Sequence, residues 1–446
     1  MKKYFISGAM LAGLMSLAAC SNDEGVVADN NGAEQQFTIT LASSGDRATR
    51  AAADRTLDSE AAGQSIEKVT LVVRSQDDGA DKNKNKVVYI HTLDNWNGTA
   101  TNYDTNGHGK KLTFTIPKAD KLGAGSYVVT AVGYNEGNYN LKWPAKGDVL
   151  DKNITATTLP DAEAKEVFAG EQQFSVKDGK IKGTDASKAI QSVDVTLHRQ
   201  VAGAYGYFTS IPAKIGETDV ASIRMVSRSK NTVLTFGSFN SSFTTTDANV
   251  MYMVNGSVPA PKTAKFLNGD EANVLFSAKI TDWFPNGDDN KDGVYDKNDS
   301  NWEKPNGYTG SYLKGSVFAS NFIVPFSATQ GKSTLELQLL DATGNVLYAW
   351  PVKLDTSNDQ IGKTGETASA NLSDRSTAMG FAETADVFSL FRNHIYSIGI
   401  HKQGTTNPDP ETPVPGDKPT DLSKIQNVVI RVNDNWEALH HMSIDE

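Results

Sequence analysis

The sequence predicts an all-β protein of two tandem antiparallel β-sandwich domains, followed by one isolated strand near the C-terminus. Three observations carry this. Short runs of β-branched and aromatic residues recur along the chain, each bounded by clusters of Asn, Asp, Gly and Lys. Sustained helical periodicity is scarce between them. The 446 residues, 38% of them hydrophobic, suffice for two or three ordinary cores.

In chain order, Lys2 and Lys3 precede an apolar run over residues 4–17, which closes on Leu17-Ala18-Ala19-Cys20. The run is short for a bilayer span and ends in small residues, so residues 1–19 read as a cleaved secretory signal. Residues 21–36 are polar and serve as a tether. In residues 37–41 apolar side chains alternate with threonines, which puts Phe37, Ile39 and Leu41 on one face of a strand. Residues 43–55 then combine small and polar residues with Arg47, Arg50 and Arg55 and have no period that buries a face, as suits an exposed, cleavable segment.

From there strand-like runs cover residues 69–73, 87–90, 112–116 and 127–132, with solvated turns between them. The run 193–202 reads as an amphipathic strand passing from one domain into the next, so the boundary is set near residue 200. Runs at 232–236, 273–276, 321–326, 335–339, 346–350 and 391–400 build the second domain. The resulting division is a signal peptide (1–19), an N-terminal propeptide that includes the first strand (20–50), an N-terminal domain (51–200) and a C-terminal domain (201–403). A Pro-rich spacer (404–424), whose prolines favour extended geometry, leads to the final strand segment (425–446). There Val428, Ile430 and Val432 share a face, with Trp436 beyond as an anchor, and the segment has no evident home in its own chain.

Composition removes several function classes. With 43 basic against 53 acidic residues, the net charge of −10 gives phosphate backbones little to attract, which argues against nucleic acid as partner. One cysteine excludes an intrachain disulfide, a Cys-based zinc site and an iron–sulfur cluster. No second apolar run reaches membrane-spanning length, so membrane contact is expected only through a lipid anchor on the precursor.

The two short strands at opposite ends match in period and apolar bulk. If a protease cuts the arginine-bearing segment, the first strand can leave its sheet, and the C-terminal strand of another copy can fill the groove by β-augmentation. Each buried apolar side chain contributes about 1.5–3 kcal/mol. A head-to-tail contact of this kind propagates into a filament, and about 20 spacer residues at roughly 3 Å each reach some 60 Å.

Leu17-Ala18-Ala19-Cys20 resembles the bacterial lipobox, which implies lipidation (palmitate) at Cys20, and Ser21-Asn22-Asp23-Glu24 resembles the surface-export signal of Bacteroidetes lipoproteins. The arginine-bearing loop, the two sandwich units joined near Val201, Arg392-Asn393-His394-Ile395-Tyr396 and the Pro-rich spacer with its terminal strand together resemble the major fimbrillins of Bacteroidales, the type V pilus stalk subunits of the short-fimbria, Mfa-like kind. The resemblance implies transthyretin-like sandwiches with a C-terminal donor strand. It implies a non-enzymatic lipoprotein precursor, cut by a trypsin-like protease and polymerised by donor-strand exchange, which supports adhesion and biofilm formation from the cell surface. The expected cut is Arg50-Ala51, with Arg47 and Arg55 as alternatives. Implied partners are like subunits, anchor and tip subunits, the processing protease and a host or bacterial surface receptor.

Two other readings stand beside this one. The first is a monomeric surface lipoprotein that binds glycan or a host ligand, for which Trp96, Trp143, Trp283, Trp302 and Trp350 are candidates, though such residues are more often core packing. The second is a surface glycoside hydrolase, which requires two facing carboxylates. No catalytic signature appears, and the seven histidines show no catalytic or metal-ligand spacing. No cofactor is required. Asp288, Asn290, Asp292, Asp296 and Asp299 follow a calcium-loop pattern, with Asp in place of the usual final Glu, and make structural calcium the one metal candidate; the alternative is a solvated acidic turn.

Overall fold

A computed structural model describes residues 34–41, 66–76, 84–102, 110–150, 154–158, 164–185, 187–227, 231–236, 273–308, 311–326, 335–354, 390, 392, 395–401, 418–423 and 428–433. Nearly all regular structure in them is β. The first eleven strands are β1 (Gln36–Leu41), β2 (Lys68–Ser75), β3 (Val87–Leu93), β4 (Thr101–Asn102), β5 (Lys110–Thr115), β6 (Gly125–Tyr134), β7 (Tyr139–Lys142), β8 (Thr155–Thr158), β9 (Phe168–Lys177), β10 (Lys180–Lys182) and β11 (Ser192–Arg199). Nine of them form one sheet in the order β3-β2-β6-β9-β11-β1-β5-β4, with β10 beside β9.

That sheet folds over on itself. β3 and β5 stand far apart along the strand order, yet the rings of His91 and Phe114 stack at 4.6 Å with planes 4° apart. The bend runs through β11, whose residues 192–197 pair with β1 while His198 and Arg199 pair with β9. Between the two layers lies a core that includes Phe37, Ile39, Val69, Leu71, Trp96, Val129, Phe174 and Val195.

The later strands are β12 (Ala202–Thr209), β13 (Ile211–Pro212), β14 (Lys214–Ile215), β15 (Thr218–Asp219), β16 (Ser222–Ser227), β17 (Val233–Thr235), β18 (Asn273–Lys279), β19 (Val294–Tyr295), β20 (Ser316–Ile323), β21 (Leu335–Leu340), β22 (Val346–Leu354), β23 (Ile395–Ile398), β24 (Thr420–Asp421) and β25 (Val428–Asn433). A second nine-stranded sheet runs β18-β16-β21-β22-β25-β23-β12-β20, with β24 beside β12. It closes over a core in the same manner, with Phe208 of β12 meeting Phe276 of β18 at 6.2 Å.

β11 ends at Arg199 and β12 begins at Ala202, and packing continues across the break between them. β17 joins β8 and β7 in a three-stranded sheet, and the larger core takes in Val132, Tyr134 and Val167 together with Val201, Phe208 and Phe322. The physical reason is a fully buried polar junction at the break. Arg199 and Glu166, both with no exposed side-chain surface, form an ion pair at 2.6 Å, and the Arg199 guanidinium lies 5.0 Å over the Phe168 ring. Gln200 donates to the carbonyls of Ala169 and His198 and accepts a 2.5 Å hydrogen bond from buried Arg392. Arg392 therefore has a structural task, because it ties its own position, three residues ahead of β23, to the junction.

One expectation changes with the C-terminal strand, which was expected to have no home in its own chain. β25 lies between β22 and β23, since unpaired backbone groups on those strands offer it a ladder. Ahead of β25, Ile400 and Lys418 exchange two backbone hydrogen bonds of 2.8 Å.

Breaking a buried ion pair leaves an uncompensated charge and costs roughly 3–5 kcal/mol. We expect Glu166→Gln to lower the unfolding free energy by about that amount in chemical denaturation, while Lys214→Ala, which breaks the exposed pair with Asp219, changes it by less than about 1 kcal/mol.

Candidate functional site: an interior strand ahead of the other described elements

β1 is the first described element, yet it lies inside its sheet. All six of its residues pair antiparallel with β5, from Gln36↔Thr115 to Leu41↔Lys110, and parallel with β11, from Gln36↔Ser192 to Leu41↔Leu197. An interior strand satisfies its own backbone groups and those of both neighbours. No described element precedes it, and residues 42–65 lie outside the described set.

Three kinds of contact hold it. Phe37 and Ile39 are fully buried, as the alternation of residues 37–41 foretells. The Phe37 ring meets Phe174 edge-on at 5.5 Å and stacks on Phe114 at 6.3 Å. Phe114 carries the contact on to Tyr89 and His91, whose imidazole is pushed below its usual pKa by burial. On the opposite face, the Thr38 hydroxyl lies 2.9 Å from the Ser192 hydroxyl and 3.0 Å from that of Thr113.

The third contact is the most specific, and the tether assignment for residues 21–36 missed it. Gln35, 1% exposed, presents its carboxamide to the backbone of Leu122. Its Oε1 accepts from the Leu122 N–H at 2.8 Å, and its Nε2 donates to the Leu122 carbonyl at 2.9 Å. The side chain thereby acts as one more rung of the ladder. A lone Gln before an alternating run was the only sequence signal for it.

β25 is held differently. Its first three residues pair parallel with β22 (Val428↔Val352 to Ile430↔Leu354), and its last three pair antiparallel with β23 (Arg431↔Ser397 to Asn433↔Ile395). It has the same two neighbour orientations as β1, with half the paired positions.

The other singled-out residues separate. Cys20, Arg47, Arg50, Ala51, Arg55 and Trp436 lie outside the described residues. Trp96, Trp283 and Trp350 are buried in the cores, and Trp143 and Trp302 pack against one, so the five do not form an exposed platform. In the acidic loop, Asp288 accepts from the N–H groups of Lys291 and Gly293, Asn290 from Asp292, Asp292 from Val294, and Asp296 from Asn298. Buried Asp299 accepts from Asp289 and Asp296. These side chains cap backbone amides of their own loop, and among the described residues no group of three or more His, Cys, Asp or Glu side chains is arranged to hold a metal ion.

His401 packs where the spacer leaves the sheet. It is 2% exposed, its ring stacks on Tyr312 at 4.7 Å and meets Tyr207 at 5.0 Å, and its Nε2 lies 3.0 Å from the Ser311 carbonyl. Burial pushes its pKa down to about 4.

No family model matches the chain, and no curated protein matches it. Solved structures do. A fimbrial assembly protein from Parabacteroides distasonis is 11% identical, with 84% of this chain and 93% of that one covered and a TM-score of 0.33. The fimbrial anchor protein Mfa2 from Porphyromonas gingivalis is 10% identical, with 71% and 81% covered and a TM-score of 0.31. The C-terminally truncated tip fimbrial protein Mfa3 from the same organism is 9% identical, with 81% and 94% covered and a TM-score of 0.31. The structural neighbours are thus fimbrial proteins of Bacteroidales at low sequence identity. Among the described residues, no helix is long and apolar enough to cross a membrane.

Two outcomes follow from this geometry. Gln35→Leu strands the Leu122 N–H and carbonyl, and the uncut protein should lose about 1–3 kcal/mol of stability in urea denaturation. His401 is held neutral in the folded state, whereas in the unfolded chain it titrates near its ordinary value of 6.5. The folded state therefore binds fewer protons between about pH 6.5 and pH 4, so stability is fully present above that window and falls as pH drops through it. Denaturation midpoints measured across the window should show this loss, and His401→Phe should flatten it.

Proposed function

We propose that this chain is the structural stalk subunit of a cell-surface fimbrium. In this reading it is exported as a precursor lipidated at Cys20, cut after Arg50 by a trypsin-like protease, and polymerised by exchange of β1 for the C-terminal strand of another copy. The observation that carries the proposal is β1 itself, an interior strand ahead of every other described element, followed in sequence by the arginine-bearing segment.

The pairing favours exchange. In its own chain, β25 has three partner positions on β22 and three on β23, whereas β1 has six on β5 and six on β11. A tail moving into a vacated β1 slot therefore doubles its paired positions, and each added hydrogen bond contributes about 0.5–1.5 kcal/mol net. Loss of β1 also exposes the pocket around Phe37 and Ile39, so the cut subunit gains from being refilled. Before the cut β1 fills its own slot, and the subunit stays monomeric.

A second reading, the monomeric surface lipoprotein that binds a glycan or host ligand, draws on one observation: the tail is already seated in its own sheet. The two are separated by trypsin treatment. Stalk subunits should convert from monomer to ladders and fibres on electrophoresis and electron microscopy, and deletion of residues 425–446 should abolish this while the cut protein keeps its circular dichroism spectrum. A protein that remains monomeric after a confirmed cut at 47–55 would be the monomeric binder.

A further inference from the structure

Resting on the strand-exchange reading, we propose that the tail of a second copy enters the β1 slot in one register only, fixed by Gln426. Gln426 takes the place of Gln35, Val428 that of Phe37, Ile430 that of Ile39 and Val432 that of Leu41. Both segments carry the same pattern of two amide residues followed by three alternating apolar ones: Gln35-Gln36-Phe37-Thr38-Ile39-Thr40-Leu41 and Gln426-Asn427-Val428-Val429-Ile430-Arg431-Val432.

The slot supplies the selection. Once β1 is gone, the Leu122 N–H and carbonyl that the Gln35 carboxamide satisfied lose both partners. Among side chains, a primary amide offers a donor and an acceptor side by side, and Gln extends it one methylene further than Asn. Residues 418–446 contain one glutamine, Gln426. Sliding the tail by two residues in one direction sets Val428 over the Leu122 backbone and Asp434 at the position of Leu41. Sliding it by two in the other sets Gln426 into the pocket between Phe174 and Phe114 that Phe37 occupies. A slip of one turns Arg431 and Val429 toward the core and the apolar triad away from it. Each alternative strands a buried polar group or buries a charge.

The register is read by disulfide trapping. The one native cysteine, Cys20, precedes every candidate cut, so a trypsin-cut subunit has no background thiol. In the proposed register Val429 stands where Thr38 does, opposite Thr113, and the Thr38 and Thr113 hydroxyls are 3.0 Å apart, close enough for a disulfide between cysteines at those positions. We would cut, assemble and oxidise subunits carrying Val429→Cys with Thr113→Cys, Lys111→Cys or Thr115→Cys. The intersubunit cross-link should be at least about tenfold more abundant with Thr113→Cys, and Gln426→Leu should slow assembly about tenfold, since an unsatisfied buried pair costs more than 1.4 kcal/mol. A dominant cross-link at 111 or 115, or wild-type assembly by Gln426→Leu, overturns the register and leaves strand exchange standing. Failure of the cut wild-type protein to assemble, or assembly with no cross-link at any of the three positions, overturns the exchange itself.

Discussion

The structure depends on the rule that an interior strand must satisfy the backbone of two neighbours at once. β1 does so for β5 and β11 along its whole length, while its apolar face closes the core around Phe174. It stands ahead of every other described element. In the strand-exchange reading proposed above, a cut behind it leaves a vacancy whose depth, direction and hydrogen-bond pattern suit a strand.

The second sheet shows the complementary economy of pairing. β25 crosses from one layer to the other, touching β22 with its first half and β23 with its second. A corner strand of this kind satisfies fewer groups per residue than an interior one. Ahead of it, Leu422 is buried and its N–H bonds the Thr209 carbonyl, so the chain is moored again before the tail begins. The junction of Glu166, Arg199, Gln200 and Arg392 lies between the two sheets and gives each a common rigid base. Gly170 contributes to the same region, since a Cβ there would stand 1.9 Å from the Thr196 carbonyl oxygen.

Much of this was legible in the sequence because runs of β-branched and aromatic residues between turn clusters mark buried strands. The runs at 69–73, 112–116, 127–132 and 335–339 fall within or against β2, β5, β6 and β21, and the alternation of residues 37–41 located β1. The strands that escaped were those whose burial is not written in apolar side chains. β9 carries Glu171-Gln172-Gln173 at its centre, where Glu171 pairs with Arg74 at 2.8 Å and accepts from Thr130. β12 is rich in Ala and Gly because both of its faces are covered, leaving no period to read. The run at 193–202 merged β11 with the start of β12, since the break between them is made by a buried glutamine and a buried valine rather than by turn residues. Gln35 looked like part of a tether because its partner is a backbone 87 residues away. For the tail, the apolar run marked the strand β25, while its seat depended on edges that only tertiary structure reveals.

The most direct test of the central claim is amide hydrogen exchange at β5 and β11, measured in the uncut precursor, immediately after cleavage and after assembly. The account predicts strong protection in the precursor, loss of protection along the β1-facing edges of both strands once β1 departs, and its return in the assembled protein, with β22 and β23 losing protection at that stage. Unchanged protection of β5 and β11 through all three states, with β22 and β23 still protected, would contradict it.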